Sequence, residues 1–189
     1  MTVKIIEGDA LAMLRTLPAG TFQCCVTSPP YFGLRDYGVE GQMGLEESPE
    51  AFVAGMVAVF REVRRVLRDD GTLWLNIGDS YASSPPGNVR GVSERSGLNG
   101  AASDKYRETL MAGHATKRDT SKLPGIKPKD MIGIPWMLAF ALRADGWFLR
   151  CDVIWSKPNP MPESVTDRCT KAHEYVFLLT KRPTYFYDQ

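Results

Sequence analysis

The chain has 189 residues, of which 43% are hydrophobic and 24% are charged, and its formal net charge is +1. This composition is typical of a globular domain and excludes a disordered tail, a collagen and a disulfide-stapled mini-protein. No apolar run approaches the ~18 residues of a membrane span, and the amino terminus lacks the apolar core of a signal peptide. We therefore expect one cytoplasmic domain with no membrane partner.

The first elements in chain order are a strand, a helix and a second strand. Residues 3–6 are a β-branched run that predicts a strand, and residues 10–17 have helical spacing, with Asp9 as a candidate N-cap. Residues 22–26 form an apolar run that predicts the second strand. Two successive prolines follow it and cannot continue a central strand, so we expect the strand to stop there.

A long helix and a buried strand come next. Ser48 and Pro49 are typical of a helix start, and apolar residues recur at helical spacing to about residue 68. Gly71 is the expected left-handed cap that ends this helix. Residues 72–77 then predict a buried strand.

The last third of the chain predicts a second long helix and two more strands. The helix spans residues 134–145, with Pro135 in its first turn, and the strands span residues 147–155 and 175–180. The alternation of helix and strand predicts an α/β domain with a mostly parallel sheet. We expect the last two strands to form an antiparallel edge hairpin.

Residues 84–130, which we call the basic loop, interrupt this alternation. They hold nine basic and five acidic residues and six glycines, whereas the rest of the chain holds 14 basic and 17 acidic residues. Long loops inside a compact domain are usually functional or mobile. The basic loop is therefore either a solvated insert or a segment that lies along a phosphate backbone.

The cysteines and histidines predict neither disulfides nor a metal site. Four cysteines are too few and too scattered for a disulfide framework, and Cys169 with His173 lacks the further ligands of a zinc site. Cys24 and Cys25 lie in the apolar strand, where we expect buried thiols. His173 and Glu174 are interpreted as a pair that orients a loop, with a proton relay as the alternative.

The most informative motif is Ser28, Pro29, Pro30 and Tyr31, which follows a predicted strand. Ligands of open α/β sheets bind at the carboxyl ends of strands. The prolines fix the backbone and leave rigid carbonyl acceptors, the serine adds a hydroxyl oxygen, and the tyrosine adds a flat face. Two acceptors beside an aromatic ring suit the exocyclic amine of a stacked base. Such acceptors would draw the lone pair of the amine out of ring conjugation and make it a nucleophile.

This tetrad resembles the catalytic motif of the S-adenosylmethionine-dependent DNA amino-methyltransferases, (Asp/Asn/Ser)-Pro-Pro-(Tyr/Phe/Trp), which act on cytosine N4 or adenine N6. Other segments resemble the same family in the same order, and together they cover nearly the whole chain except the basic loop: residues 5–10, 49–76, 145–159, Arg168 and 173–175. The resemblance implies a partial Rossmann-like methyltransferase sheet. It also implies that residues 1–189 are the catalytic portion of a methyltransferase domain, of the kind found in restriction-modification systems.

The resemblance also implies roles for the tetrad. Ser28 and the carbonyl of Pro29 would hold the target amine, and Pro30 would shape the turn. Tyr31 would stack on a base flipped out of double-stranded DNA.

The implied cofactor and DNA contacts lie outside the tetrad or at its edge. Contacts to S-adenosylmethionine fall on Asp9, Ala10, Thr27 and Ser28, although Asp9 can also act as a helix N-cap. Arg35, Trp155 and Lys157 are candidates for contact with the base or the phosphates. A surface charge at Arg35 and a core position for Trp155 are the alternatives.

The target and the extent of the site have competing interpretations. Serine in the first tetrad position favours cytosine N4, and adenine N6 is the alternative. An RNA or protein-glutamine methyltransferase and a non-catalytic DNA-binding remnant are further alternatives.

The family's Phe-x-Gly-x-Gly cofactor loop does not occur in these 189 residues. We therefore expect the isolated chain to be inactive, with a downstream segment, a homodimer or a partner chain completing the cofactor site.

Overall fold

The computed structural model describes residues 3–83, 119–160, 163 and 165–188. These residues belong to two compact units. The first, which we call the sheet unit, comprises Met1–Pro29, Val53–Asp79 and Gly133–Gln189, and the second, the loop unit, comprises Pro30–Phe52 and Ser80–Ile132. Most of the basic loop, residues 84–118, lies outside the described residues. Its remaining part, residues 119–130, contains turns and no helix or strand.

The described residues form three helices and four strands. Helix α1 spans Ala10–Thr16, α2 spans Pro49–Val66 and α3 spans Ile134–Ala144, while the strands are β1 (Phe22–Thr27), β2 (Leu67–Ile77), β3 (Phe148–Ser156) and β4 (His173–Thr180). Every element predicted from residue 10 onward is present. The strand predicted at residues 3–6 is wrong: this segment is irregular, and Ile5 is 89% exposed.

The four strands form one sheet in the order β1-β2-β4-β3. Strand β1 pairs with β2 in parallel, and β4 pairs antiparallel with both β2 and β3. Strands β1, β2 and β3 therefore run in one direction and β4 runs against them. The predicted α/β class and its antiparallel edge pair are confirmed.

The core of the sheet unit lies around the two central strands. Leu73, Leu75, Phe177 and Leu179 on β2 and β4 are fully buried, as is Leu138 on α3. Burying a side chain of this size stabilises a fold by about 1.5–3 kcal/mol. This core holds β2 in place, and β2 is the strand with which β1, the strand that ends at the tetrad, is paired.

Two side chains bind helix ends that lie beside this sheet. The Asp79 carboxylate, two residues beyond β2, accepts hydrogen bonds from the backbone N–H groups of Gly133 and Ile134 at 3.0 and 3.1 Å. These are donors that the first turn of α3 cannot satisfy internally. The Arg65 guanidinium on α2 donates to the carbonyls of Leu14 and Leu17 at the end of α1. Both contacts stabilise helix ends that flank the sheet.

Gly71 does not cap a helix, so that prediction is wrong. Helix α2 ends at Val66 and β2 begins at Leu67, and Gly71 lies within β2. The β1–β2 register shifts between Phe22 and Cys24, which is typical of a bulge. A Cβ atom at position 71 would lie 3.0 Å from the carbonyl oxygens of Arg68 and Gln23. A side chain at position 71 would therefore require the neighbouring backbone to shift. The turn-like sequence before Gly71 does not reveal this close approach.

The adjacent thiols of β1 differ in exposure, and the prediction that both are buried is wrong. Cys24 is exposed, while Cys25 is half-buried on the opposite face. Burial, with a smaller effect of neighbouring Cys24, raises the pKa of the Cys25 thiol to about 11. The thiolate is the reactive form, so Cys25 is expected to be the less reactive cysteine of the pair at neutral pH.

Alkylation with iodoacetamide at pH 8 is expected to label Cys24 well before Cys25. The raised pKa gives Cys25 an about hundredfold smaller thiolate fraction than an ordinary cysteine, and labelling of Cys25 should rise as the pH approaches 11. Peptide mass spectrometry over a time course measures both sites. In urea the two rates should converge. Equal rates in the folded chain would contradict the burial of Cys25.

No helix within the described ranges is both long and apolar enough to cross a membrane.

Candidate active site

Ser28 lies at the carboxyl end of the parallel strand pair. It follows Thr27, the last residue of β1, and Thr27 is paired with Leu75, so that Ser28 reaches the neighbourhood of Asn76 on β2. Ser28 and Pro30 are exposed, while Pro29 and Tyr31 are half-buried. The carboxyl end of adjacent parallel strands is where α/β sheets bind ligands.

A chain of hydrogen bonds starts at the Ser28 hydroxyl. The hydroxyl donates to Oδ1 of Asn76 at 3.1 Å. Nδ2 of Asn76 donates to Oε2 of Glu174 at 3.3 Å and to the carbonyl of Tyr175 at 3.1 Å. The antiparallel pairing of β2 with β4 brings these residues together across 98 positions of sequence.

Lys157 and Trp155 extend this cluster on the β3 side. The Lys157 ammonium forms an ion pair with Glu174 and lies 5.6 Å from the centre of the Trp155 ring. Trp155 is paired with Glu174 across the β3–β4 ladder and is 54% exposed. The alternative that Trp155 belongs to the core is therefore wrong. Four of these residues, Ser28, Asn76, Glu174 and Lys157, form one connected polar chain.

Aromatic rings support the β4 side of this cluster. The Tyr175 ring contacts the rings of Trp136, His173 and Phe177, with centroids 5.2, 5.3 and 5.8 Å apart. Lys171 places its ammonium 5.8 Å from the same ring. The packed rings fix the backbone of Tyr175, whose carbonyl accepts from Asn76.

Asp9 acts as the N-cap of α1, as the sequence predicts. Its Oδ1 accepts a hydrogen bond from the N–H of Ala12 at 2.8 Å, and both Asp9 and Ala10 are exposed. A carboxylate at a helix start, together with the hydroxyls of Thr27 and Ser28 at a strand end, has the hydrogen-bonding chemistry that an adenosine group needs.

Three residues of the predicted site belong to the loop unit: Pro30, Tyr31 and Arg35. The carbonyl of Tyr31 accepts from the N–H of Leu34 at 3.3 Å. Gly44 has φ +101°, and a Cβ there would lie 3.0 Å from the Tyr31 oxygen, so only glycine allows this approach. Arg35 is exposed, and its carbonyl accepts from the Gln42 side chain. The backbone that follows Tyr31 is thus held by the loop's own hydrogen bonds.

Among the described residues, no group of three His, Cys, Asp or Glu side chains is placed to hold a metal ion.

An α/β sheet with one reversed strand, and with Ser-Pro-Pro-Tyr beginning at the carboxyl end of β1, defines the class of DNA amino-methylases that the sequence resembles. Residues 22–189 match the N6_N4_Mtase family model, described as DNA methylase. The chain belongs to this family.

Three bacterial relatives are similar over almost the whole chain. The chain is 54% identical to the Type II methyltransferases M.Cfr9I of Citrobacter freundii and M.XycI of Xanthomonas campestris pv. cyanopsidis, over 97% of its length. It is 49% identical to M.SmaI of Serratia marcescens over 98% of its length. The matches cover 56% of each of the first two relatives and 58% of the third. The chain therefore spans little more than half the length of these relatives.

Two solved structures share the fold. The Thermus thermophilus protein TTHA0409, solved with S-adenosyl-L-methionine, superposes with a TM-score of 0.58 at 20% identity over 96% of this chain and 54% of its own. The PvuII DNA methyltransferase, described as cytosine-N4-specific, gives a TM-score of 0.57 at 15% identity over 94% of this chain and 49% of its own. Both likenesses confirm the methyltransferase-like α/β fold.

Proposed function

We propose that this chain forms the catalytic part of an enzyme that transfers a methyl group from S-adenosylmethionine to the exocyclic amine of a base in double-stranded DNA, with cytosine N4 as the target. The observation that carries the proposal is the exposed Ser28 hydroxyl at the carboxyl end of β1, hydrogen-bonded to Asn76. Membership of the DNA methylase family supports it, as does similarity to Type II methyltransferases.

The chemistry follows from two acceptors at the start of the tetrad. The oxygen of Ser28 and the carbonyl of Pro29 accept the two N–H bonds of the target amine and draw its lone pair away from the ring. S-adenosylmethionine, when bound, supplies an electrophilic methyl group. With that methyl group in line, the amine would form the new N–C bond as the S–C bond breaks with its electron pair on sulfur, and the surplus amine proton would leave to solvent. No strong base is needed, because the proton leaves after the methyl group arrives.

Ser28 is also the reason to favour cytosine N4 over adenine N6. The resemblance associates serine in the first tetrad position with cytosine and aspartate with adenine. Asp9, Ala10, Thr27 and Ser28 would supply the chain's share of cofactor contacts. The remaining contacts would come from a downstream segment or from a partner chain, including a second copy of this one.

DNA contact is proposed at the tetrad and at three further side chains. Tyr31 would stack on the flipped base, and Trp155 and Arg35, which are both exposed, are proposed for contact with DNA. Lys157 already neutralises Glu174, so its proposed contribution is to the base pocket more than to phosphate attraction. The basic loop would add salt-dependent attraction to the backbone.

Product analysis tests the proposal. The complete gene product is incubated with mixed-sequence DNA and S-adenosylmethionine, and the digested nucleosides are identified by mass spectrometry. We expect N4-methylcytosine. N6-methyladenine would support the enzyme class and overturn the choice of base. A folded product that binds DNA without methylating it would instead support a non-catalytic remnant.

Substitution of Tyr31 by alanine is expected to weaken capture of the flipped base. Stacking of a base on an aromatic side chain is worth about 1–3 kcal/mol, so the affinity for DNA that carries the fluorescent base 2-aminopurine beside the target cytosine should fall roughly 5- to 150-fold. Fluorescence titration measures this loss. Tyr37→Ala is the matched control, because Tyr37 is an exposed tyrosine of the same unit. Equal titration curves for Tyr31→Ala and the unsubstituted protein would remove Tyr31 from the base contact.

A further inference from the structure

The hydroxyl of Ser28 has two possible modes toward an amine. A serine hydroxyl carries one hydrogen and two acceptor lone pairs. If its oxygen accepts from an amine N–H, the amine becomes more nucleophilic. If its hydrogen is donated to the amine nitrogen, the hydrogen occupies the lone pair that must attack the methyl group. The direction of one O–H bond therefore separates a productive contact from an inhibitory one.

Asn76 sets that direction. Its Oδ1 accepts a hydrogen bond from the Ser28 hydroxyl, with 3.1 Å between Oδ1 and the serine Oγ. With the hydrogen directed at Asn76, the oxygen lone pairs of Ser28 point away from it. An approaching amine then meets an acceptor. Ser28 is an exposed residue at the end of β1, where α/β sheets bind ligands.

The orientation of the Asn76 amide is in turn fixed by two acceptors. Its Nδ2 lies 3.3 Å from Oε2 of Glu174 and 3.1 Å from the carbonyl of Tyr175. Rotation of the amide by 180° would set Oδ1 against both of these oxygens and present an N–H to Ser28. The two acceptors thus determine which amide atom faces the serine.

Glu174 is held in place by its own partner. Its other carboxylate oxygen pairs with the Lys157 ammonium. The backbone N–H of Lys157 donates to the carbonyl of Ala172 at 2.8 Å. The Glu174 side chain is 19% exposed, so the ion pair is partly shielded from solvent. A carboxylate acceptor makes a stronger hydrogen bond than a neutral one, and the ion pair keeps this carboxylate beside the Asn76 amide.

We propose that Asn76 and Glu174 are positioning residues, which orient the Ser28 hydroxyl so that it accepts from the target amine. This inference rests on the proposed function and deepens it. It assigns the two residues no contact with the base, the cofactor or the transferred methyl group. Their effect on the reaction passes through Ser28.

A double-mutant cycle on the complete gene product tests the proposal. Asn76→Ala is expected to lower kcat about tenfold, the equivalent of one hydrogen bond, with KM for DNA and for the cofactor unchanged. In the Ser28→Ala background the same substitution should have no further effect on kcat. A purely structural role would produce the same loss in both backgrounds. Equal losses would therefore overturn the proposal, as would full kcat in Asn76→Ala.

Two further variants keep the test interpretable. Glu174→Gln is isosteric, and it should also lower kcat only when Ser28 is present, so it carries the test if Asn76→Ala does not fold. Gln23→Ala is the control, because Gln23 is a half-buried β1 residue whose side chain donates to the carbonyl of Asp70, and its kcat should be unchanged. If Ser28→Ala itself retains full activity, the proposed function fails together with this inference. If only the coupling is missing, the proposed function stands.

Discussion

Replacing Ser28 with alanine is expected to lower kcat by roughly 10²-fold or more, the usual loss when one preorganised hydrogen-bonding group of an active site is removed. Affinity for DNA should change little. The amine N–H bonds become more polar as the nitrogen lone pair attacks, so an acceptor at Ser28 is used more strongly in the transition state than in the bound substrate. The variant loses one oxygen atom at an exposed strand end, so the fold should be preserved.

Single-turnover methylation and a DNA-binding titration, performed on the same preparations, separate the two effects. Ser156→Ala is the matched control, because Ser156 is an exposed serine at the carboxyl end of β3 in the same sheet. This control should keep full activity. A parallel loss of affinity and rate in Ser28→Ala would instead assign Ser28 to substrate binding. An unchanged rate would remove it from the reaction.

The sequence predicts those parts of the fold that local chemistry determines. Apolar spacing with Pro49 and Pro135 defines α2 and α3, and the two prolines of the tetrad define the end of β1. The prediction of a strand at residues 3–6 fails because a β-branched run becomes a strand only when it pairs with a neighbour, and these residues pair with no strand of the described sheet. The prediction that Gly71 caps a helix fails because a bulge depends on the register of two strands, which no single segment encodes.

The residues of the candidate site also divide into those that local sequence predicts and those that depend on strand pairing. The tetrad is contiguous and is readable from sequence, and the N-cap role of Asp9 follows from the residues beside it. The interaction of Asn76 with Glu174 joins positions 98 residues apart through the β2–β4 pairing, so no local pattern announces it. A polar Asn76 among the apolar residues of β2 is the available signal. Such a polar residue indicates that its side chain has a hydrogen-bonding partner, but it does not identify that partner.

The largest predicted effect concerns the cofactor. Residues 1–189 alone are expected to bind S-adenosylmethionine with a Kd weaker than about 1 mM, which corresponds to less than ~4 kcal/mol of binding free energy. The side chains proposed for the cofactor supply a carboxylate and two hydroxyls, and the glycine loop that would let backbone approach the cofactor closely does not occur in this sequence. Strand β1 lies at one end of the described strand order, and Val26 on it is 78% exposed. An edge with exposed apolar residues is suited to pairing with further chain.

Calorimetry tests this expectation on two proteins: the 189-residue chain, and the same chain fused to the part of M.Cfr9I that the match does not cover. The fusion should bind the cofactor in the micromolar range and transfer methyl groups, because the added segment would pack beside β1. Val26→Asp should weaken binding by the fusion, whereas Val153→Asp on β3, at the opposite edge, should not. A fusion that fails to bind would be consistent with mismatched halves, so the complete gene product serves as the positive control. Micromolar binding by the 189-residue chain would overturn the prediction, since the whole cofactor site would then lie within these residues.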